Sequence, residues 1–418
     1  MSVSLQLVLS SSPPGSDFYE NDNYSDAAGA NNPIHNGIHA MKKMKIAYIL
    51  DEDISNGGVK NKIFSQVDEW MKNGHEVKVF SMRTRRIINK EDEQSKTRTR
   101  TNKNKISNII KLLRHWINTI PLHLFLNDYS PDVIYCRYIK YAPFLKFILK
   151  SNGPYILEVN TDDVKEFSGK NRIIGFYNTI TRSTLLSGSS AFVSVTQELK
   201  NIHNFAKFKK PTIVIGNGYA CKSMNPGFEK LPRFNKPSLV FVGSPDMAWH
   251  GLDKIYAAAK ILPQCDFHII GESIEDVKAN SNGTINVIPH GFLKQDEILA
   301  ILHRCDVGIS TIALHRKGMK EACPLKSRQY LSEGLPIIVG YQDPDIDQGL
   351  DFILNIGNSE DNVLNNIDDI LEFTLKSRLI DRNKIRKLAS KMFSVPTKES
   401  ARLEFINHML EQHNRKNT

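Results

Sequence analysis

The sequence predicts an α/β protein made of two doubly wound, Rossmann-like parallel sheets that face a central cleft, with helices at the C-terminal end. Three observations predict it. Short apolar runs rich in β-branched residues alternate with amphipathic helical stretches from Lys45 onward. The alternation breaks at "GNGYACKSMNPGFEKLPRFNKP" (216–237), a stretch rich in Gly and Pro, and then restarts. The length, 418 residues, suits two domains of ordinary size.

In the first half the strand runs are "KIAYIL", "HEVKVFSM", "PDVIYCRY", "PYILEV", "SAFVSV" and "PTIVIG". "GGVKNKIFSQVDEWMKNG" is the first amphipathic helix and stops at Gly74. In the second half "SLVFVG", "DFHIIG", "INVIPHG", "CDVGIST" and "LPIIVG" read as strands, with "GLDKIYAAAKIL", "KQDEILAILHR" and "PLKSRQYLSE" as helices between them. From residue 359 the chain reads as mainly helical, and "TKESARLEFINHMLEQH" closes it with Thr397 as the expected N-cap. The expected organisation is a disordered leader (1–43), an N-terminal Rossmann-like domain (44–216), a linker (217–236), a C-terminal Rossmann-like domain (237–395) and a last helix (396–418) that crosses back to the first domain.

Composition narrows the class. Hydrophobic residues make up 40% and charged residues 24%, as in a water-soluble globular chain. No apolar run reaches the length of ~20 residues that spans a bilayer. Five cysteines without C-x-x-C or zinc-like spacing imply a reducing, cytoplasmic setting rather than a disulfide framework. The net charge of +10 is concentrated: residues 83–114 hold eleven Lys and Arg against three acids. That block lacks aromatics before Trp116, so stacking on nucleic-acid bases has nothing to use and no nucleic-acid partner is expected. The following stretch, 106–126, sets Ile109, Ile110, Leu112, Leu113, Trp116, Ile117 and Ile120 on a broad helical stripe. With the basic block it reads either as a contact with an anionic membrane surface through residues 83–126, or as a core helix behind a loop.

Ligands of open α/β sheets bind outside the carboxyl ends of the strands, so the informative loops follow strands. In "DEDISNGGVK", Gly57 and Gly58 open the first helix; they either expose amides to a ligand or make a turn that needs positive φ. In "FVGSPDMAWHG", Ser244 follows the strand and His250 stands where a helix begins, either donating a hydrogen bond to a phosphate or serving as a packing residue. In "KGMKEACPLKSRQYLSEGLPIIVG", Pro324 and Gly334 bracket a helix over 324–333. The amides of Ala322, Cys323 and Leu325 crowd its start, with Arg316, Lys317, Lys320, Lys326 and Arg328 nearby, an arrangement suited to a diphosphate. A carboxylate beside phosphate is unfavourable, so Glu321 is assigned to sugar hydroxyls and Gln329 to a ribose.

These stretches, with "VTQELK" and "IGNGY", resemble the retaining GT-B glycosyltransferases of the group 1 (family 4) type, over residues 45–410. The resemblance implies transfer of a sugar from a nucleotide-diphosphate donor to a glycan or lipid-linked acceptor, with retained configuration and no metal or other cofactor. It implies that Glu321, the first glutamate of an E-x7-E motif, is the catalytic residue holding the donor sugar. Gln329 stands where the second glutamate is usual, and Ser244 and His250 where Arg and Lys are usual. Asn160, Asp162 and Asp163 in "LEVNTDD" occupy the acceptor loop. The D-x-D of "DPDID" (Asp345, Asp347) reads as a polar loop. Alternatives are a non-catalytic carbohydrate or nucleotide-sugar binder and a nucleotide-sugar epimerase of the same fold. The expected place is the cytoplasm, peripherally at the inner membrane face.

Overall fold

A computed structural model describes residues 42–51, 57–92, 105–170, 172–220 and 231–417. The leader up to residue 41, residues 52–56 of the first loop, 93–104 of the basic block and 221–230 of the expected linker, with Cys221, lie outside the described residues.

The first half runs β1 (Lys45–Leu50), α1 (Gly57–Lys72), β2 (Glu76–Ser81), β3 (Arg86–Ile87), α2 (Lys105–Ile117), α3 (Thr119–Tyr129), β4 (Val133–Arg137), α4 (Leu145–Ser151), β5 (Tyr155–Val159), α5 (Asp163–Lys170), α6 (Arg172–Gly188), β6 (Ala191–Ser194), α7 (Gln197–Asn201), α8 (His203–Ala206) and β7 (Thr212–Val214). The second runs β8 (Ser238–Val242), α9 (Leu252–Ile261), β9 (Asp266–Ile270), α10 (Ile274–Asn280), β10 (Val287–Gly291), α11 (Gln295–Arg304), β11 (Val307–Ile309), α12 (Leu325–Ser332), β12 (Ile337–Val339), β13 (Ile353–Asn355), α13 (Asn362–Asn365), α14 (Ile367–Ser377), α15 (Arg382–Met392) and α16 (Val395–Asn417).

The strands form two sheets, ordered β3-β2-β1-β4-β5-β6-β7 and β10-β9-β8-β11-β12-β13. All pairings are parallel except β2 with β3. Strand order reverses between β1 and β4 in one sheet and between β8 and β11 in the other; at such points the diverging loops leave a crevice. β1, β4 and β5 are buried almost throughout because helices cover both faces. β3 and β13 were not expected: two or three residues carry too little periodicity to register as strands.

The stripe expected over 106–126 is two helices, α2 and α3, broken at Asn118. α16 begins at Val395, and the Thr397 amide donates to Ser394 Oγ at 3.3 Å, so Thr397 is inside the helix rather than its cap. This helix packs on α1 of the first sheet. Trp70 Nε1 and Gln66 Nε2 donate to Glu399 Oε2 at 2.9 and 3.3 Å, and Glu399 pairs with Arg402. Near the start of the same helix, Lys398 reaches Asp345 in the second half at 2.8 Å. α16 therefore ties the halves together.

Candidate site at the seam between the sheets

The start of α12 lies against the first sheet. Pro324 precedes the helix with extended backbone and Glu333 closes it, close to the expected 324–333. Asn217, just after β7, donates from Nδ2 to the Cys323 carbonyl at 2.6 Å and from its amide to Cys323 Sγ at 2.9 Å. Two glutamates clasp across the seam. Glu198 of α7 accepts from the amides of Lys320 and Glu321 at 2.9 and 2.7 Å, and Glu321 Oε2 accepts from the Glu198 amide at 2.8 Å. A carboxylate has about four acceptor positions, so this bond leaves Glu321 with further capacity. Lys317 pairs with Glu166 at 3.0 Å, and Lys165 donates to the Gly318 carbonyl at 2.7 Å. Gly216 makes the closest approach: a Cβ there would fall 2.0 Å from Asp345 Oδ2. Gly216→Ala is expected to push the halves apart at about 1–3 kcal/mol, seen as a lower melting temperature; an unchanged melting temperature would contradict so tight a seam.

The donors expected around the helix start divide into used and unused. The Ala322 amide is not open to a phosphate, because it bonds the Gln342 carbonyl at 3.0 Å. Arg328 is fully buried and chelated by Asp343 and Asp345, so its charge is matched inside the protein. Arg316 pairs with Asp253 and Glu360. Lys320 is exposed. Lys326 differs from these. Its Nζ is buried without a hydrogen-bond partner, 4.0 Å from the centre of the Phe241 ring. Burial drives its pKa well below the usual lysine range. Gln329 Nε2, one turn further along the same face of α12, is also buried and unpartnered. Leu325 is the first residue of the helix.

The loop after β8 borders this pair. The His250 ring meets Phe241 at 5.4 Å between centroids, and its Nδ1 accepts no hydrogen bond. Burial first, then the charges of Lys326 and Lys317, hold His250 well below the ordinary histidine pKa, against a weaker pull from the Ser244 backbone. The ring is therefore neutral at pH 7. Ser244 is half-buried beside it. A Cβ on Gly243 would strike the Phe241 ring, and one on Gly271, at φ +94°, would lie 2.1 Å from the Gly243 carbonyl oxygen. The two strand-end loops thus meet as bare backbone, which only glycine allows.

In the first half, Gly57 and Gly58 are helical without positive φ, which removes the turn reading, and the space over Gly57 is open. The expected acceptor loop needs correction. Asp163 is buried in a bidentate pair with Arg182 (2.6 and 2.7 Å) and accepts from Tyr138 and Asn178. Asp162 is buried too and accepts from Asn204 and the Val164 amide. Both aspartates hold α5 and α6 in place rather than face an acceptor. Asn160 donates to Glu158 Oε1 at 2.9 Å. Glu158 also binds Lys62, Tyr135 (2.6 Å) and Arg137 (3.2 Å). Burial alone would raise its pKa, but Lys62, Arg137 and Arg402 hold it far below the carboxylate range. A second group ends β1: Asp51 lies 3.0 Å from Lys140 Nζ and 3.2 Å from His115 Nδ1, and His115 Nε2 faces the Lys140 carbonyl at 3.0 Å.

Sequence reasoning singled out the stretches that hold Glu198 and Asn217 without giving either residue a role, and missed the Arg328–Asp343–Asp345 cluster, because these contacts join residues far apart in the chain. Cys323, Asp343 and Asp345 bring candidate metal-ligand atoms within 4.8 Å of one another, but Arg328 and Lys398 already neutralise the two carboxylates.

No protein-family model and no curated protein matches this sequence. Solved structures do match in shape. Sucrose-phosphate synthase (tll1590) from Thermosynechococcus elongatus aligns at a TM-score of 0.65 and 15% identity, over 88% of this chain and 100% of that one. The fold is GT-B. Anabaena Alr3699/HepE in complex with UDP-glucose aligns at 0.57 and 16%, over 87% and 100%. UDP-GlcNAc 2-epimerase from Neisseria meningitidis bound to UDP-GlcNAc aligns at 0.51 and 13%, over 87% and 99%.

Proposed function

We propose that this GT-B chain is a retaining glycosyltransferase that moves a sugar from a nucleoside-diphosphate donor to a glycan or lipid-linked acceptor. The observation that carries the reading is the pair of unpartnered, buried donors on one face of α12, Lys326 Nζ and Gln329 Nε2, on the helix whose approach runs along the seam. Buried polar groups are otherwise almost always hydrogen-bonded, and a buried ammonium without an anion is unfavourable. A diphosphate on Lys326, with the neutral His250 ring and the bare Gly243–Ser244 backbone alongside, supplies the missing anion. Gln329 then reaches the ribose diol. The nucleotide-bound neighbours carry UDP-sugars, so uridine donors are the first to test.

The reaction breaks the bond between the anomeric carbon and the diphosphate oxygen, whose electron pair leaves with the nucleoside diphosphate. The acceptor hydroxyl adds to that carbon from the face of departure, and its proton passes to a phosphate oxygen. Lys326 and the helix N-terminus stabilise the developing negative charge, which is usually the largest catalytic contribution. Glu321 grips the sugar hydroxyls, and the clasp with Glu198 brings it to the seam. Cys323 and Leu325 contribute the helix start, and Lys320 adds positive potential; the Ala322 amide and Lys317 are already engaged by Gln342 and Glu166.

UDP-, GDP- and ADP-sugars are expected to separate by thermal shift, one raising the melting temperature by mass action; the donor reading fails if none does. Anomer-resolved NMR of the product then tests retention. A non-catalytic sugar-nucleotide binder is favoured by Gln329 in the usual glutamate position; it would show the thermal shift without transfer or donor hydrolysis. Glu321→Ala is expected to lower kcat by about 10²–10³-fold, comparable to loss of one preorganised polar contact at a reacting centre. Glu321→Gln keeps an oxygen for the Glu198 amide but not the charge. If Glu321→Gln restores full turnover, Glu321 only closes the seam.

A further inference from the structure

The helices α2, α3, α4 and α6 cover one side of the first sheet, and their outer surface is apolar where a soluble protein is usually polar. Phe147, Phe176, Leu124, Ile120 and Ile180 are 71%, 70%, 63%, 61% and 61% exposed. The side chains belong to helices that touch. Trp116 of α2 donates to the Tyr177 hydroxyl of α6 at 3.0 Å, and that hydroxyl donates to the Tyr141 carbonyl just ahead of α4 at 3.0 Å. A Cβ on Gly188, at the end of α6, would lie 3.0 Å from the Lys146 side chain of α4. α3 packs on both α2 and α4. Contiguous exposed apolar area of this kind marks an interaction surface.

The charge of the four helices is one-sided. They contain a single carboxylate, Asp128. Lys146 and Lys150 flank Phe147 on α4. Burial, followed by the charges of Lys150, Lys146 and Lys416, lowers the Lys210 pKa, so these ammonium groups share one locality. A second copy docked here by a twofold axis would set this cationic cluster near its own image, which opposes association. No described helix is long and apolar enough to cross a bilayer.

We propose that the outer face of α2, α3, α4 and α6 docks on an anionic lipid surface, with Phe147 and Phe176 entering the interface and Lys146 and Lys150 meeting the headgroups. Aromatic rings settle at the headgroup level, and basic residues near the surface add affinity from the lipid charge. This face does not include the seam, so the proposal stands or falls independently of the donor reading.

Vesicle co-sedimentation of the full chain tests it. Wild type is expected to sediment with vesicles of phosphatidylcholine plus phosphatidylserine, and far less with phosphatidylcholine alone. The Lys146→Glu/Lys150→Glu protein is expected to lose roughly fivefold in affinity or more per lysine. Phe147→Ser/Phe176→Ser is expected to lose at least about tenfold, since two buried rings leave the interface, while it stays folded by circular dichroism. Three results would each overturn the proposal: no sedimentation of wild type with either vesicle, full sedimentation of the folded Phe147→Ser/Phe176→Ser protein, or a wild-type dimer in solution that this variant converts to monomer.

Discussion

A Lys326→Met protein is expected to melt several degrees higher than wild type at pH 7 and to bind its nucleotide donor on the order of 10- to 100-fold more weakly. Both effects have one cause. Lys326 Nζ is buried over the Phe241 ring without a partner. An unsatisfied buried group costs about 1–3 kcal/mol, more when charged, and methionine fills the same space without that penalty. The missing hydrogen bonds to phosphate account for the lost affinity, since bonds to charged groups contribute about 1.5–3 kcal/mol each. The pH dependence has a definite sign. Burial depresses the folded-state pKa of Lys326, so the unfolded chain binds more protons between that value and the ordinary lysine pKa of about 10.4. Wild-type stability therefore rises with pH across this window. The advantage of Lys326→Met is full below the folded-state pKa and disappears above about 10.4. At pH values above this depressed pKa, donor binding should also take up a proton, measured by calorimetry in buffers of different ionisation enthalpy. A less stable variant, or one with unchanged donor affinity, would refute the assignment.

The largest stability loss is expected for Glu399→Ala, about 3–5 kcal/mol, the range for removing one partner of a buried ion pair. Glu399 and Arg402 are each about 1% exposed, and Glu399 also accepts from Trp70 and Gln66. Without it the Arg402 guanidinium faces the interior unmatched by its nearest carboxylate, and α16 loses its bond to α1. Urea unfolding measures the loss. Glu399→Met/Arg402→Met is expected to recover most of it, because replacing both partners removes the uncompensated charge. Equal destabilisation by the single and double changes would show that the pair is not the determinant.

Much of the architecture follows from local pattern. The buried strands of both sheets read as apolar runs because helices cover both of their faces, and α12 carries its own start and stop in Pro324 and Gly334. Asp162 and Asp163 show the limit of that reading. Two acids after a strand look like ligands from the sequence, yet Arg182, Tyr138 and Asn178 turn Asp163 inward and Asn204 holds Asp162. Arg328 and Lys326 sit two residues apart with similar charge and opposite fates. One meets Asp343 and Asp345; the other meets an aromatic ring.

The sequence by itself determined the order of strands and helices, the break between two α/β halves and the loops that end at the seam, since periodicity and punctuation act over a few residues. Only the tertiary structure decided which of those loops' charges are free. A cation is neutralised or left unpaired by groups more than a dozen residues away, and the Glu198–Glu321 clasp and the Glu399 anchor exist only once the two sheets are brought together.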